Sequence, residues 1–194
     1  AVLLSDQLEV KNHLDKIDLY FCPFGALWPR PLPIPTVLNL VDIQEVFYPQ
    51  FFTQMDMFNR EYHFPGSTRM ADRVITISHF FFMTIVQHHH ISASKVTVAH
   101  LCADKRFYRA AEAALPLQVS LPEGGFVFYP ANHWHHKNHD MLLKGLRWLK
   151  MERGLKINAV FTGYEMSNGY PIEQKVKEYG LTEQVYTVGY VTVE

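Results

Sequence analysis

Lys137 and Asp42 are the two residues of this chain best placed by sequence to act on a charged ligand. Lys137 follows a short run of β-formers, Phe126-Val127-Phe128-Tyr129, and a polar aromatic loop, Ala131-Asn132-His133-Trp134-His135-His136. It precedes a stretch in which Met141, Leu142, Gly145, Leu146 and Leu149 recur at helical spacing. A strand, a polar loop and a helix in that order turn helix N-terminal amides toward an anion, and a lysine there adds a full positive charge. The loop is too poor in glycine for a Walker A loop or a GxGxxG fingerprint. An ordinary βα crossover with a solvated lysine would read the same way. Asp42 closes the run Pro35 to Val41, at the carboxyl end of an expected strand, where open α/β sheets bind ligands. It fits a turn or N-cap residue equally well. His133, His135, His136 and His139 crowd the loop, and His135 and His139 could share a helix face. A zinc site needs further ligands in tetrahedral range, and no cysteine pair or HExxH supplies them, so no metal is expected.

The elements that position these residues alternate strand and helix. Strands are expected at 18–22, 35–41, 74–77 and 96–100, with Ser78 as the N-cap of a helix from His79 to His90. A helix is expected over Leu4 to Ile17. A second, over Met55 to Met70, is expected to break at Pro65-Gly66. Pro29, Pro31, Pro33 and Pro35 hold an extended loop. Residues 105–123, rich in alanine and proline, read as a connector. A second series follows: strand 126–129, read as buried on both faces, then its helix, strand 157–161 ending at Thr162-Gly163, helix 171–179 closed by Gly180, and strand 185–188 ended by Gly189. His88-His89-His90 reads as a solvated helix end.

Composition narrows the field. Of the 194 residues, 48% are hydrophobic, enough for a sizeable core, and 14% are aromatic, which fits large apolar interfaces. The formal net charge of -1 argues against a general nucleic-acid binder. Cys22 and Cys102, read in apolar settings, give no disulfide framework and fit a reducing compartment. There is no apolar run of membrane-spanning length and no signal-peptide pattern, which fits a cytoplasmic protein and leaves peripheral contact with the inner face of a membrane open.

Several stretches together resemble one family. They are Asp42-Ile43-Gln44 with Tyr48-Pro49, Ala71 to Ser78 followed by Phe80, Lys95 to Val98 with Asp104 and Phe107, His136-Lys137-Asn138-His139 with Leu142-Leu143, Phe161-Thr162-Gly163, and Gly180-Leu181 with Val185 and Gly189-Tyr190-Val191. Their order and spacing resemble the retaining glycosyltransferases of family 4, which have the two-Rossmann GT-B fold. The resemblance implies an α/β protein made of parts of two Rossmann-like domains, truncated at both ends. Residues 1–104 would be the second half of the acceptor-side domain, 105–123 the connector, and 124–194 the first half of the nucleotide-sugar domain. The family pattern continues beyond residue 194 with a Glu-x7-Glu pair that holds the donor, so the 194-residue chain alone is expected to be inactive.

The same resemblance implies transfer of a sugar from a nucleotide-diphosphate donor to a glycan, lipid or small-molecule acceptor, without a metal or other cofactor. Lys137 would contact the donor diphosphate, with Asn138 beside it. Gly163 and Val191 would line the donor cleft, Val191 near the base. Many members carry an arginine shortly before the lysine. Ala131-Asn132-His133 stands there instead, leaving Asn132 or His133 to donate. Many carry His-Asp on the acceptor strand, where this chain has Val41-Asp42, so Asp42 alone carries over. Phe81-Phe82 would give the following helix an unusually apolar surface. A non-catalytic module that binds a nucleotide or sugar phosphate is the alternative.

Overall fold

A computed structural model describes residues 13–109 and 120–191. The chain divides into two compact units, Ala1–Arg109 and Ala110–Glu194, each built on its own parallel sheet.

The first unit carries four strands in the order β1 (Tyr20–Cys22), β2 (Thr36–Asn39), β3 (Arg73–Thr76) and β4 (Val96–Val98). The register pairs Tyr20 with Thr36, Val37 with Arg73 and Val74 with Val96. The intervening helices are α1 (Gln44–Phe47), α2 (Gln54–Met70) and α3 (His79–His89), and α4 (Lys105–Arg109) ends the unit. Leu27, Leu38, Leu40, Ile43, Val74 and Ile85 form the centre of the core. Asp72 clasps the start of β2: its carboxylate accepts from the Thr36 amide (2.8 Å) and hydroxyl (2.9 Å), while its own amide donates back to Thr36 Oγ1.

Several expectations for this unit need correction. The helix does not break at Pro65-Gly66: α2 runs through both. Thr53 and Asp56 start it with a reciprocal capping box. Pro65 removes one rung of the ladder, and side chains tie up carbonyls beside the gap. Arg30 donates to His63 O at 2.8 Å and Ser67 Oγ donates to the same carbonyl, while Thr68 Oγ1 donates to Pro65 O. Gly66 leaves room for the Arg30 guanidinium, which a Cβ would meet at 3.1 Å. His89 is not solvated but buried, with Nδ1 3.0 Å from the Thr68 hydroxyl. Phe81 and Phe82 pack on the core, and Phe80 and Met83 are the exposed apolar residues of α3. Cys22 is buried, but Cys102 is exposed rather than in an apolar setting, and both are free. The helix expected over Leu4 to Ile17 falls mostly outside the described residues, and within them Leu14–Lys16 is a 3-10 turn.

The second unit carries β5 (Phe126–Pro130), β6 (Asn158–Thr162) and β7 (Val185–Gly189) in that order, all parallel, with α5 (His139–Arg153) and α6 (Ile172–Glu178) between them. Leu143, Leu146, Ala159, Phe161, Leu181 and Val185 form its core. Leu143 and Leu146 are the buried leucines of α5. Met141, counted in the sequence periodicity, is exposed. The strand over 126–129 is not buried on both faces. As an edge strand of the described sheet it exposes Phe126, Val127 and Phe128, and it extends to Pro130, which an edge tolerates because no ladder N–H is demanded there.

Candidate functional site

Asp42 follows β2 in the first unit. Its carboxylate accepts from the Gln44 amide at 3.2 Å, the arrangement of a turn-capping residue. Arg60 lies 3.9 Å away but binds Glu45 more closely, at 2.9 Å, and stacks over the Phe52 ring at 4.5 Å. Burial pushes the Glu45 carboxyl up from its ordinary range, and the hydrogen bond and charge of Arg60 oppose that rise. Asp42 is therefore a partly exposed carboxylate steadied by its own turn, beside an ion pair whose glutamate is buried.

The carboxyl ends of β5, β6 and β7 carry the other candidates. β5 ends at Pro130, and the loop that follows crosses the end of β6: Ala131 N donates to Thr162 O, His133 N to Tyr164 O, and Tyr164 N to Asn132 Oδ1 at 2.9 Å. Gly163 makes this crossing possible. Its φ is +130°, and a Cβ there would lie 2.5 Å from Ala131 O. Its amide donates to Gly189 O at 2.8 Å, tying the ends of β6 and β7 together. The loop then forms a 3-10 turn, His135–Lys137, and Asn138 takes the left-handed conformation (φ +56°) as the N-cap of α5. Asparagine suits both demands, since it tolerates positive φ and its Oδ1 faces the Met141 amide at 3.4 Å.

An open cleft of about 390 Å³ results, bounded by Pro130, Ala131, Asn132 and Lys137 on one side and by Thr162, Gly163, Tyr190 and Val191 on the other. Four residues singled out from sequence, Asn132, Lys137, Gly163 and Val191, thus share one cleft. Asn138 is not among its lining residues and serves the helix cap. His133 lies in a neighbouring cleft of about 250 Å³ that also touches Gly163, together with Glu165 and Glu173. Asp42 belongs to the other unit. Among the described residues lining the larger cleft, Lys137 is the one that is formally charged. Asn132 spends its carbonyl oxygen on Tyr164, which leaves its NH2 as the group able to donate.

The histidines of the loop do different work. His139 is fully buried among Tyr129, His133, Phe161 and Tyr170, with ring centroids 5.0 to 6.2 Å away and the Ala131 backbone as a polar neighbour. Burial lowers the pKa of His139 and of His133, so both rings are neutral near pH 7. Among the described residues no three His, Cys, Asp or Glu side chains are grouped to hold a metal ion.

Tyr190 is the residue that sequence reading passed over. Its place in the run Gly189-Tyr190-Val191 carries no site role in the sequence, yet it lines the cleft and stacks on Tyr164 with ring centroids 4.2 Å apart. The signal was there in Gly189-Tyr190-Val191: a glycine at φ +74° ends the strand and turns the next side chain out of the sheet.

The architecture is that of solved glycosyltransferases. The chain is similar to HepE of Anabaena, solved in complex with UDP: TM-score 0.61, 18% identity, covering 94% of this chain and 50% of that one. It is also similar to WaaG, a glycosyltransferase involved in lipopolysaccharide biosynthesis (TM-score 0.59, 11% identity, 95% and 52% covered). A third is a glycosyltransferase from Rickettsia africae (TM-score 0.53, 13% identity, 94% and 48% covered). The chain therefore spans about half the length of the solved structures it matches. No protein-family model matches it, and no curated protein does. At these identities the likeness establishes the fold, two Rossmann-like parts of GT-B type.

Proposed function

We propose that this chain supplies part of a family 4, retaining glycosyltransferase that moves a sugar from a nucleotide-diphosphate donor to a glycan, lipid or small-molecule acceptor. The observation that carries the reading is the cleft at the ends of β5 and β6. There a single lysine cation, a free amide NH2 and a close-packed glycine crossing meet beside two exposed stacked tyrosines. The setting suits an anionic group held by Lys137 and a flat base lying toward Val191 and Tyr190. HepE, of the same fold, was solved with UDP.

The chemistry assigned to the site needs no metal. When the glycosidic bond to the diphosphate breaks, negative charge grows on the leaving group, and a fixed cation stabilises that change more than it stabilises the bound ground state. Lys137 takes that role, with the Asn132 amide as a neutral second donor. Asp42 is the candidate carboxylate of the acceptor side. No helix among the described residues is long and apolar enough to cross a membrane, and we place the protein in the cytoplasm, with a lipid acceptor reached at a membrane surface.

Titration calorimetry of the chain with UDP, GDP and ADP at low ionic strength tests the donor assignment. Lys137→Ala is expected to weaken diphosphate binding by about tenfold or more, the loss of one charge-assisted hydrogen bond. In the enzyme that contains this segment it should cut turnover by roughly 10²-fold. Near-normal turnover and unchanged affinity would refute the assignment.

A further inference from the structure

Lys137 reaches the cleft from a loop, and a loop lysine stabilises an anion only as well as its backbone is held. The first half of the loop is pinned to β6 and its sequel by the bonds of Ala131, Asn132 and His133. The second half turns away from β6 through His135–Lys137 and meets α5 at a single left-handed residue, Asn138. There the Tyr129 hydroxyl donates to the Lys137 carbonyl at 2.5 Å. Tyr129 sits on β5, eight residues earlier, and its ring is gripped by two fully buried rings, His139 at 5.0 Å and Phe161 at 6.0 Å. One end of this hydrogen bond thus comes from a ring packed against the core, and the other is the main chain of Lys137, the one charged residue among the described residues lining the cleft.

We propose that Tyr129 is the positioning residue of the cleft: its hydroxyl holds the Lys137 backbone so that the ammonium is presented to the diphosphate. This rests on the donor reading of Lys137 given above. His139 serves the same end from beneath, since its buried imidazole packs edge-on against the Tyr129 ring and fills the space there.

Tyr129→Phe removes the hydroxyl and keeps the ring, so the fold is expected to persist, with an unchanged circular dichroism spectrum. UDP and uridine serve as paired probes, titrated across ionic strength. The variant should bind UDP about three- to tenfold more weakly, as expected for loss of one hydrogen bond. Its uridine affinity should be unchanged, and its UDP binding should depend less steeply on salt because the ionic contact is the part that is lost. Added to Lys137→Ala, the tyrosine change should cost nothing further. In the free protein, the amide of Asn138 should exchange faster in Tyr129→Phe than in the parent.

The outcomes separate the two assignments. If Lys137→Ala leaves UDP affinity intact, the donor reading falls and the positioning role falls with it. If Lys137→Ala weakens UDP binding but Tyr129→Phe does not, the positioning role alone is overturned. Equal loss for UDP and uridine, or losses that add in the double variant, would make Tyr129 a packing residue and overturn the proposal as well.

Discussion

Gly163→Ala tests the crossing on which the cleft depends. The perturbation is one methyl group. An added Cβ would lie 2.5 Å from Ala131 O, 2.7 Å from Ala131 C and 2.8 Å from Asn132 N, all backbone atoms. Non-bonded atoms rest at about 3.5 Å, so the strands' ends must part by roughly 1 Å. The residue would also be held at φ +130°, a conformation available in practice to glycine. Backbone strain of about 1–3 kcal/mol and overpacking of about 1–3 kcal/mol act together, and about 4 kcal/mol is the central value. For a unit of this size that corresponds to a melting point lower by roughly 16–32 °C. The three hydrogen bonds that cross here, donated by the amides of Ala131, His133 and Tyr164, join the two segments that must part, so Asn132 should shift and UDP binding should weaken too. Gly145→Ala is the control: it lies in α5, its Cβ would meet nothing within 4 Å, and the change should stabilise by about 0.5–1 kcal/mol. The assay is thermal melting followed by the fluorescence of Trp134 and Trp148, which belong to the second unit. If Gly163→Ala melts within about 2 °C of the parent, the crossing is not the tight junction described here.

Two further outcomes are expected. His89 has its pKa lowered to about 4, first by burial and then by the charges of Arg69, His88 and His90. A folded value below the ordinary 6.5 means the unfolded chain binds the proton first, so the stability is present above about pH 6.5 and is lost as pH falls toward 4. The loss should be roughly 3 kcal/mol over that window, read as the midpoint of urea unfolding of the first unit, and His89→Gln should flatten the slope. Asp140 accepts from Tyr170 Oη at 2.5 Å and Tyr179 Oη at 2.8 Å and pairs with Lys144 at 2.6 Å. With its pKa held down to about 2 by those bonds, first that of Lys144, its contribution persists above about pH 4 and fades only below. Asp140→Asn should lower the stability of the second unit by about 1–3 kcal/mol at pH 7, and a variant that melts like the parent would show the network to be idle.

The strands were legible because each is a short run of β-formers cut off by glycine, proline or a polar cap, and parallel neighbours follow from the helices between them. Parallelism also explains why four residues spread over sixty positions meet in one cleft. Asn132, Lys137, Gly163 and Val191 each follow the carboxyl end of a strand, and adjacent parallel strands bring those ends together. What stayed hidden depends on partners distant in sequence. Periodicity marks Phe126 to Phe128 as a strand but does not say that it lies at an edge. Pro65-Gly66 carries a turn signal in isolation, yet the helix runs through it, and Arg30, contributed by a proline-held loop, binds the His63 carbonyl of the same turn. His89 looks like one of three equivalent histidines until Thr68, on another helix, gives it a buried partner.

The same logic bears on Tyr129 and Tyr190. Tyr129 reads as a strand residue and Tyr190 as the residue just past a strand, and for a strand residue burial is the default explanation of an aromatic ring. Tyr129 instead donates a hydrogen bond to the Lys137 carbonyl, and Tyr190 leaves the strand after Gly189 and lines the cleft. A tyrosine near or just beyond the carboxyl end of a parallel strand lies at the level where open α/β sheets bind ligands. Its place beyond Gly189, more than its residue type, separates Tyr190 from Tyr186, which lies within β7 and does not line the cleft.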